Sequence, residues 1–409
     1  MKKIICSPVF LLCLLTIAQK PKVDLLIYNA KIYMLDPKFS VASAIVIKDG
    51  KIEDVGSTNN LSKRYDPKQS VNALGKFIYP GFIDAHAHFV NYGLGLQSAD
   101  LTGTNSWDEV IDRLKSFAKT HPDGWVKGRG WDQNDWAVKE FPSREKLDEL
   151  FPDRPVMLTR VDGHAVIANQ KALDLAGISP GATVNGGIVE TKNGKLTGIL
   201  VDNATDLVSA KISEPTVTEM KDALIAAQNK CFEAGLTTID DCGLDFRHVT
   251  FIDRMQKDKE LKMRLYVMLS DSPQNYDFLF RNGKIKTDYL NVRSFKVYAD
   301  GALGSRGAAL LQPYSDKPGW SGFLLSSKQH FDSVARIISE HGFQMCTHAI
   351  GDSGNRMILN VYAKYLKGKN DLRWRVEHAQ VINENDFNLF GQYSIIPSVQ
   401  PTHATSDMY

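Results

Sequence analysis

Apolar residues recur along most of the chain in short runs that alternate with segments of helical spacing. Seven runs have the length of buried strands, at 82–86, 237–240, 265–269, 295–298, 344–348, 374–378 and 395–399. Between them, 217–234 and 326–341 show apolar residues every three or four positions, and each is followed by a glycine, as helix ends often are. This alternation predicts parallel βαβ units and an α/β fold.

The first part of the chain has a different pattern. Short strand-like segments fill 23–76, and Asp49-Gly50 between two of them is a strong signal for a two-residue hairpin turn. Pro80-Gly81 then marks a boundary. We interpret the seven runs as the strands of a barrel. A stretch after the first of them, rich in Gly, Asp and Trp, does not fit the alternation and is typical of an insertion on the face of a barrel where active sites form. The predicted organisation is a β domain at 19–79, a barrel domain at 80–409 and, within it, an insertion at about 96–216.

The first residues have the composition of a secretory signal. Lys2 and Lys3 precede an apolar stretch, and small residues before Gln19 suit cleavage by a signal peptidase. A buried helix or a membrane anchor is the alternative, but the stretch is short for a membrane span and a polar segment follows it. We therefore predict a signal peptide at 1–18, export to the periplasm or the extracellular space, and no stable membrane anchor.

Composition narrows the range of partners. The 409-residue chain is 43% apolar, and its formal net charge is only +2. Because no basic run is present, we expect no nucleic-acid partner and instead a small-molecule substrate; self-association into a homo-oligomer stays open. Of the five cysteines, two belong to the predicted signal peptide, and the others have neither disulfide-scaffold nor metal-site spacing.

Two histidines end the first predicted barrel strand. His86 and His88 are two residues apart, so both imidazoles point to the same face of the strand. Two neutral imidazoles suit a divalent transition metal, although two hydrogen-bonded polar histidines without a metal are the alternative. The sequence therefore raises the hypothesis of a metal site at this strand end.

Lys296 is a charged residue in a strand that should be buried. It lies between Phe295 and Val297, in a run expected to be covered on both faces. A buried ammonium is costly unless it is paired or chemically altered, for example by carbamylation to an anion that bridges two metals. Taken alone, the pattern favours pairing with Asp300 or Asp240, or an amine that reaches the strand end.

His348 and His378 end two later predicted strands at the same rim as His86 and Lys296. Residues at the carboxyl ends of the strands of such a barrel are typically catalytic. Any one of these residues alone is more often structural, but metal-competent side chains at several strand ends on one rim indicate a shared metal centre.

Several segments resemble one known family. Pro80 to His88, PGFIDAHAH, resembles the first-strand motif of the amidohydrolase superfamily. Further segments resemble its YtcJ-like group, which is similar to N-substituted formamide deformylases: VDGH at 161–164, FKVYADGALGSR at 295–306, THAIGD at 347–352, RVEH at 375–378 and SVQPTH at 398–403. The resemblance covers nearly all of the chain after the predicted signal peptide.

The resemblance implies a (β/α)8 TIM barrel with a small β-sandwich domain at the N-terminus. It implies a metal-dependent hydrolase that cleaves C–N bonds other than peptide bonds, with a divalent metal, one or two Zn ions, activating water. The implied metal ligands are His86, His88, Lys296, His348 and His378; Lys296, expected to be carboxylated, and His378 are also implied as catalytic. The resemblance thus favours the altered form of Lys296 over the paired one.

Four further residues are candidates for substrate binding. His164 and Arg160 lie in the predicted insertion, Arg306 follows the fourth predicted strand, and His403 resembles a pocket histidine of the family. A hydrogen-bonded loop histidine without a functional role is the alternative for His164.

The sequence departs from the family pattern at one point. The eighth strand of the family carries an aspartate that binds metal and handles the proton, and Asp407 does not match it because it lies in the loop after the seventh predicted strand. We therefore expect a fragment or a truncated variant that binds metal weakly and turns over slowly. The alternatives are a non-catalytic remnant or binding protein, and a barrel hydrolase acting on lactones or phosphotriesters.

Overall fold

The computed structural model describes residues 19–406 and divides after Gly81 into two compact units. The predicted signal peptide at 1–18 and Asp407 lie outside the described residues. Within the described part of the chain, none of the helices has the length and apolar character that a membrane span needs.

The first unit is a five-stranded sheet with one helix. Its elements are β1 (Lys22–Tyr33), β2 (Val41–Lys48), β3 (Lys51–Gly56), α1 (Thr58–Arg64), β4 (Asp66–Asn72) and β5 (Phe77–Ile78). Strand β1 is central, since β2 pairs with it antiparallel while β4 and β5 pair with it in parallel. Asp49 and Gly50 have φ angles of 51° and 72°, as a type I′ turn requires, and the predicted β2–β3 hairpin is confirmed.

The second unit starts with a barrel strand and then forms a separate sheet. The first elements are β6 (Phe82–Ala87) and α2 (Phe89–Gly95). The separate sheet, here called the insertion sheet, contains β7 (Ala99–Asp100), β8 (Val126–Trp131), β9 (Val156–Arg160), β10 (Ala165–Ala168), β11 (Gly187–Lys192) and β12 (Lys195–Asp202), in the order β11-β12-β10-β9-β8-β7. Its helices are α3 (Trp107–Thr120), α4 (Glu145–Leu150), α5 (Gln170–Ala176) and α6 (Asp206–Ser209). The insertion sheet has its own apolar core, which includes the fully buried Trp131.

The described residues after the insertion sheet contribute the other strands of the barrel sheet. Its strands are β13 (Leu236–Leu244), β14 (Arg264–Ser270), β15 (Ile285–Lys286), β16 (Leu290–Tyr298), β17 (Gln344–Ala349), β18 (Arg375–His378) and β19 (Ile396–Ser398). Its helices are α7 (Val217–Glu233), α8 (Phe246–Lys257), α9 (Pro273–Asn282), α10 (Lys328–Glu340), α11 (Asp352–Leu366), α12 (Phe387–Gln392) and α13 (His403–Ser406). The strands pair in parallel in the order β19-β18-β17-β16-β14-β13-β6, and only the short β15 is antiparallel, against β16. The predicted α/β barrel is confirmed as a nearly closed parallel sheet.

The two helices predicted from spacing form for local reasons. The Thr216 side chain accepts a hydrogen bond from the Glu219 backbone, and the Glu219 side chain accepts one from the Thr216 backbone, so a capping box starts α7. Gly235 after α7 and Gly342 after α10 have φ angles of 78° and 67°, a conformation that ends a helix without a Cβ clash. Because the barrel strands pair in parallel, their carboxyl ends lie at one rim.

Candidate metal centre

The carboxyl ends of the barrel strands bring four histidines into one cluster. His86 lies on β6 and His88 directly follows it, while His348 and His378 lie near the ends of β17 and β18. The ring centroids of His86 and His378 are 4.5 Å apart, and those of His348 and His378 are 4.6 Å apart. The rings of His86 and His88 are 5.8 Å apart. The fold thus gathers the four histidines proposed as metal ligands.

Lys296 reaches the same region from β16 and is fully buried. Its Nζ has no hydrogen-bond partner among residues 19–406 and lies 4.6 Å from the centroid of the Tyr298 ring. Neither aspartate considered from the sequence pairs with it. Asp300 accepts backbone hydrogen bonds instead, and Asp240 accepts one from Arg375. A buried amine without a partner is costly, and carboxylation or a bound metal would relieve that cost.

His86 has a fixed ring orientation and one available nitrogen. Its Nδ1 lies 2.6 Å from Oε2 of Glu377, a carboxylate with no exposed surface. Burial alone would raise the pKa of Glu377, but the hydrogen bond from His86 and the charge of Arg375 lower it to about 2. Glu377 is therefore ionised and accepts the Nδ1 proton. The other nitrogen, His86 Nε2, is buried and has no hydrogen-bond partner in the described part of the chain, as expected for a metal ligand oriented by a carboxylate.

The other three histidines have the neutral form that metal ligation requires. Burial lowers the pKa of His88 to about 3, and burial with neighbouring positive groups lowers the pKa values of His348 and His378 well below the usual range. His378 donates Nδ1–H to Oε1 of Gln400 at 2.7 Å, which leaves its Nε2 lone pair available. The Nε2 of His348 lies 3.3 Å from the carbonyl oxygen of Gly301, so its Nδ1 is the available nitrogen. This donor set fits a divalent metal.

Strand β13 contributes two residues to which the sequence analysis gave no role. Asp241 is buried and accepts a hydrogen bond at 3.0 Å from the first turn of α2, which follows His88 directly. The potential ligand atoms of Cys242, His86 and Glu377 lie within 4.8 Å of one another. Burial raises the pKa of the Cys242 thiol, so the sulfur is protonated in the metal-free protein. Cys242 is therefore a neighbour of the cluster that its sequence spacing did not reveal.

A cavity of about 440 Å³ lies beside the histidine cluster. Its barrel side includes His88, Lys296, Tyr298, His348 and His378, and its insertion side includes Asp132, Asp135, Arg160, Asp162 and His164. A concave site of this size, lined by acidic, basic and apolar side chains, suits a small molecule.

Three of the four candidate substrate-binding residues line this cavity, namely His164, Arg160 and His403. The ring centroid of His164 lies 5.0 Å from that of His348, and the ring centroid of His403 lies 5.8 Å from that of His378. Both rings are therefore close enough to the cluster to contact a molecule bound there.

The two arginines have different surroundings. Arg160 is 1% exposed and forms ion pairs with Asp132 and Asp162, which neutralise its charge at the cavity wall. Arg306 pairs instead with Asp316 and lines a second cavity of about 1040 Å³, which holds none of the clustered histidines. The structure therefore does not bring Arg306 to the cavity beside the cluster.

Comparison with known proteins agrees with this geometry. Residues 69–409 match the amidohydrolase family. The chain is 30% identical over 384 residues to the putative amidohydrolase YtcJ of Bacillus subtilis (strain 168), covering 92% of this chain and 72% of that protein. It is 26% identical over 375 residues to the N-substituted formamide deformylase of Arthrobacter pascens, covering 87% of this chain and 69% of that protein.

A solved structure shows the same fold. The uncharacterized metal-dependent hydrolase from Pyrococcus horikoshii OT3 superposes with a TM-score of 0.72 and 25% sequence identity, over 94% of this chain and 76% of that chain. The matches support a hydrolase that uses a divalent metal and acts on a small molecule. This chain therefore belongs to the amidohydrolase family, within its YtcJ-like branch.

Proposed function

We propose that this hydrolase cleaves C–N bonds other than peptide bonds, in amides or N-substituted formamides, with water activated by a bound metal. The observation that carries the proposal is a pair of buried nitrogen atoms, His86 Nε2 and Lys296 Nζ, which have no hydrogen-bond partner within 19–406. Most buried polar atoms are paired, and these two unpaired nitrogens lie among neutral histidines, which supports metal binding there. The deformylase relative supports the type of bond.

The side chains proposed to hold one or two zinc ions are His86, His88, Lys296, His348 and His378. Imidazole nitrogen suits zinc, and a carboxylated Lys296 would add the negative charge that the neutral imidazoles lack. A zinc ion held by these residues would lower the pKa of water toward about 7 and would polarise a carbonyl oxygen. Lys296 and His378 are proposed as catalytic because they lie both among these ligands and on the cavity wall.

The surrounding residues prepare the site for this chemistry. Glu377 and Gln400 hold the rings of His86 and His378 through Nδ1, which keeps the opposite nitrogens available. The Gln400 amide is itself oriented, since its Nε2 donates to the backbone oxygen of Ser398 at 3.0 Å. The cavity of about 440 Å³ restricts the acyl and amine portions of the substrate to small groups.

We also propose that the protein is exported, on the basis of residues 1–18 alone. Expression in a Gram-negative host, followed by N-terminal sequencing of the periplasmic protein, tests this proposal. A mature chain that begins at Gln19 would support export, whereas cytoplasmic protein that retains Met1 would contradict it.

The proposed reaction is tested with purified protein and a panel of N-formyl, N-acyl, lactone and phosphotriester compounds of matched size. We expect slow hydrolysis of the formamide or the amide, loss of hydrolysis after chelation, and recovery on adding zinc. His348→Asn should abolish turnover, while His330→Asn, outside the cavity, should not. Hydrolysis of lactones or phosphotriesters alone would assign another bond, and absence of both zinc binding and hydrolysis would favour a non-catalytic binding protein.

A further inference from the structure

Arg375 lies on β18, and its guanidinium group contacts residues of several barrel strands. Nη2 donates to the backbone oxygen of Ala85 on β6 at 2.7 Å and to Oγ of Ser398 on β19 at 2.8 Å. Nη1 donates to Oδ2 of Asp240 on β13 at 3.1 Å. Within β18, Nη2 and Nε contact the two carboxylate oxygens of Glu377 at 2.9 and 2.6 Å. One buried side chain thus joins four strands.

These contacts converge on His86, one of the proposed metal ligands. The Ala85 oxygen belongs to the peptide group that joins Ala85 to His86, and Glu377 binds His86 Nδ1 at 2.6 Å. Arg375 therefore constrains the backbone of His86 directly and its ring through Glu377. Because Nδ1 is held, the direction of the unpartnered Nε2 is fixed as well.

The contacts of Arg375 also reach both edge strands of the described barrel sheet. In the part of the chain that the structure describes, β6 and β19 are the edge strands of the barrel sheet and do not pair with each other. The guanidinium contacts both edges, so it limits how far β6, which carries His86, can move relative to the rest of the sheet. The planar fork of arginine suits this task, since the single ammonium of lysine cannot direct donors along the same fixed directions.

We propose that Arg375 is a positioning residue of the metal centre, which holds Glu377 and the Ala85–His86 peptide so that His86 Nε2 faces the metal. Arg375 does not line the cavity of about 440 Å³, so it is not assigned a contact with substrate. The inference rests on the proposed metal-dependent function but not on the identity of the bond that is cleaved.

The test measures metal affinity and stability separately in the full chain. Zinc affinity is measured by competition with a chelator, the coordination geometry by the visible spectrum of the Co²⁺ form, and stability by thermal unfolding of the metal-free protein. We expect Arg375→Met to bind zinc about 10- to 100-fold more weakly, with an altered Co²⁺ spectrum, since loss of the groups that orient a ligand has this effect. Arg375→Lys should be intermediate because it keeps the charge but not the fork.

A double variant separates positioning from folding. Arg375→Met leaves the Glu377 carboxylate buried without its cation, whereas Arg375→Met/Glu377→Leu removes both charges and should regain part of the lost thermal stability. Zinc affinity should stay low in the double variant, because the Glu377→Leu change removes the acceptor of His86 Nδ1. Arg144→Met is the matched control: Arg144 also pairs with a carboxylate and a backbone oxygen, but in the region of the insertion sheet, so its loss should change stability and not zinc affinity.

The outcomes distinguish the inference from the proposed function. Wild-type zinc affinity and Co²⁺ spectrum in Arg375→Met would overturn the positioning role, as would recovery of zinc affinity together with stability in the double variant. If Arg375→Met does not fold, the lysine variant and the double variant decide by the same two measurements. A wild-type protein that binds neither ion would overturn the proposed metal-dependent function itself.

Discussion

His164 donates Nδ1–H to Oδ1 of Asp202 over 2.6 Å, directly behind the wall of the cavity beside the metal-ligand cluster. The two residues also share a backbone hydrogen bond, from the Asp202 nitrogen to the His164 oxygen at 2.8 Å. Asp202 has a φ of 51°, a strained conformation for a residue with a Cβ, and a side chain added at Gly301 would overlap its carboxylate. The fold thus maintains a strained backbone at Asp202, and the buried Asp202 carboxylate orients His164 at the cavity.

Replacing Asp202 by asparagine tests this relationship. In the native pair, the carboxylate accepts from Nδ1, and the orientation of the ring leaves Nε2 toward the cavity. An amide can present N–H instead, which favours the other tautomer, so we expect kcat/KM to fall about 10- to 100-fold without loss of zinc. Imidazole ¹⁵N NMR of His164 reports the tautomer, and zinc content is measured in the same samples.

Asp206→Asn is the control for Asp202→Asn, because Asp206 is an exposed carboxylate of the same segment that does not line the cavity. It should leave both the tautomer and kcat/KM unchanged. Equal kcat/KM in Asp202→Asn and wild type would show that the orientation of His164 does not matter for the reaction.

Local patterns in the sequence were sufficient to predict the barrel strands and the rim at which their carboxyl ends lie. Seven apolar runs correspond to the seven parallel strands of the described sheet, and the two-residue spacing of His86 and His88 identifies side chains of one strand end. Lys296 stood out because a charge in a buried strand breaks the expected pattern. The resemblance to a family then favoured a carboxylated Lys296 over a Lys296 paired with an aspartate. Burial alone could not distinguish these two possibilities.

The residues that hold these ligands could not be predicted, because their partners are distant in sequence. Glu377 is separated from His86 by 291 positions, and only the parallel sheet brings the two together. Cys242 is similar, since its neighbours at the cluster come from other strands. Arg306 shows the opposite case, in which a residue near Lys296 in sequence is carried by its loop to a different cavity.

Lys296→Met should stabilise the metal-free protein and abolish metal binding. The native amine is fully buried and has no hydrogen-bond partner within residues 19–406, so replacing it by an apolar chain of similar length removes the cost of an unsatisfied buried donor, about 1–3 kcal/mol. The same change removes a proposed ligand, so zinc affinity should collapse. Urea unfolding and chelator competition measure the two effects, and added bicarbonate should increase zinc uptake only in the wild type.

Lys127, which is exposed, provides the control for the effects of Lys296→Met on stability and zinc affinity. Lys127→Met should change neither the urea midpoint nor zinc affinity, since a solvated ammonium carries no desolvation cost. A metal-free Lys296→Met protein less stable than wild type would mean that the contact with the Tyr298 ring and other interactions outweigh the cost of burying the amine, and Lys296 Nζ would then not support the proposed metal site.

Glu377 predicts a specific loss of stability in acid for the metal-free protein. Its pKa is lowered to about 2 in the folded state from a usual value of 4.5, so the unfolded chain takes up the proton first as pH falls. The stabilisation is complete above about pH 4.5 and disappears as pH falls toward 2; by linkage it amounts to about 3 kcal/mol. Urea unfolding at several pH values should show a shallower acid decline for Glu377→Gln than for the wild type.

The exposed helix residue Glu233 gives the comparison for the acid experiment, because Glu233→Gln should keep the wild-type dependence on pH. If Glu377→Gln and the wild type lose stability in parallel between pH 5 and 3, Glu377 is not held ionised by His86 and Arg375. The fixed Nδ1–H tautomer of His86 would then lack its cause.

Arg306→Gln should have little effect on turnover of a small substrate. Its guanidinium pairs with Asp316 and faces the cavity of about 1040 Å³, whereas His403 lies at the cavity beside the metal-ligand cluster. We therefore expect kcat/KM within about twofold of wild type for Arg306→Gln and a loss of about tenfold for His403→Asn, as removal of one substrate contact of about 1.4 kcal/mol gives. Steady-state kinetics with a short N-alkylformamide measure both. A tenfold loss in Arg306→Gln at unchanged thermal stability would contradict this assignment and would favour a substrate that extends from one cavity into the other.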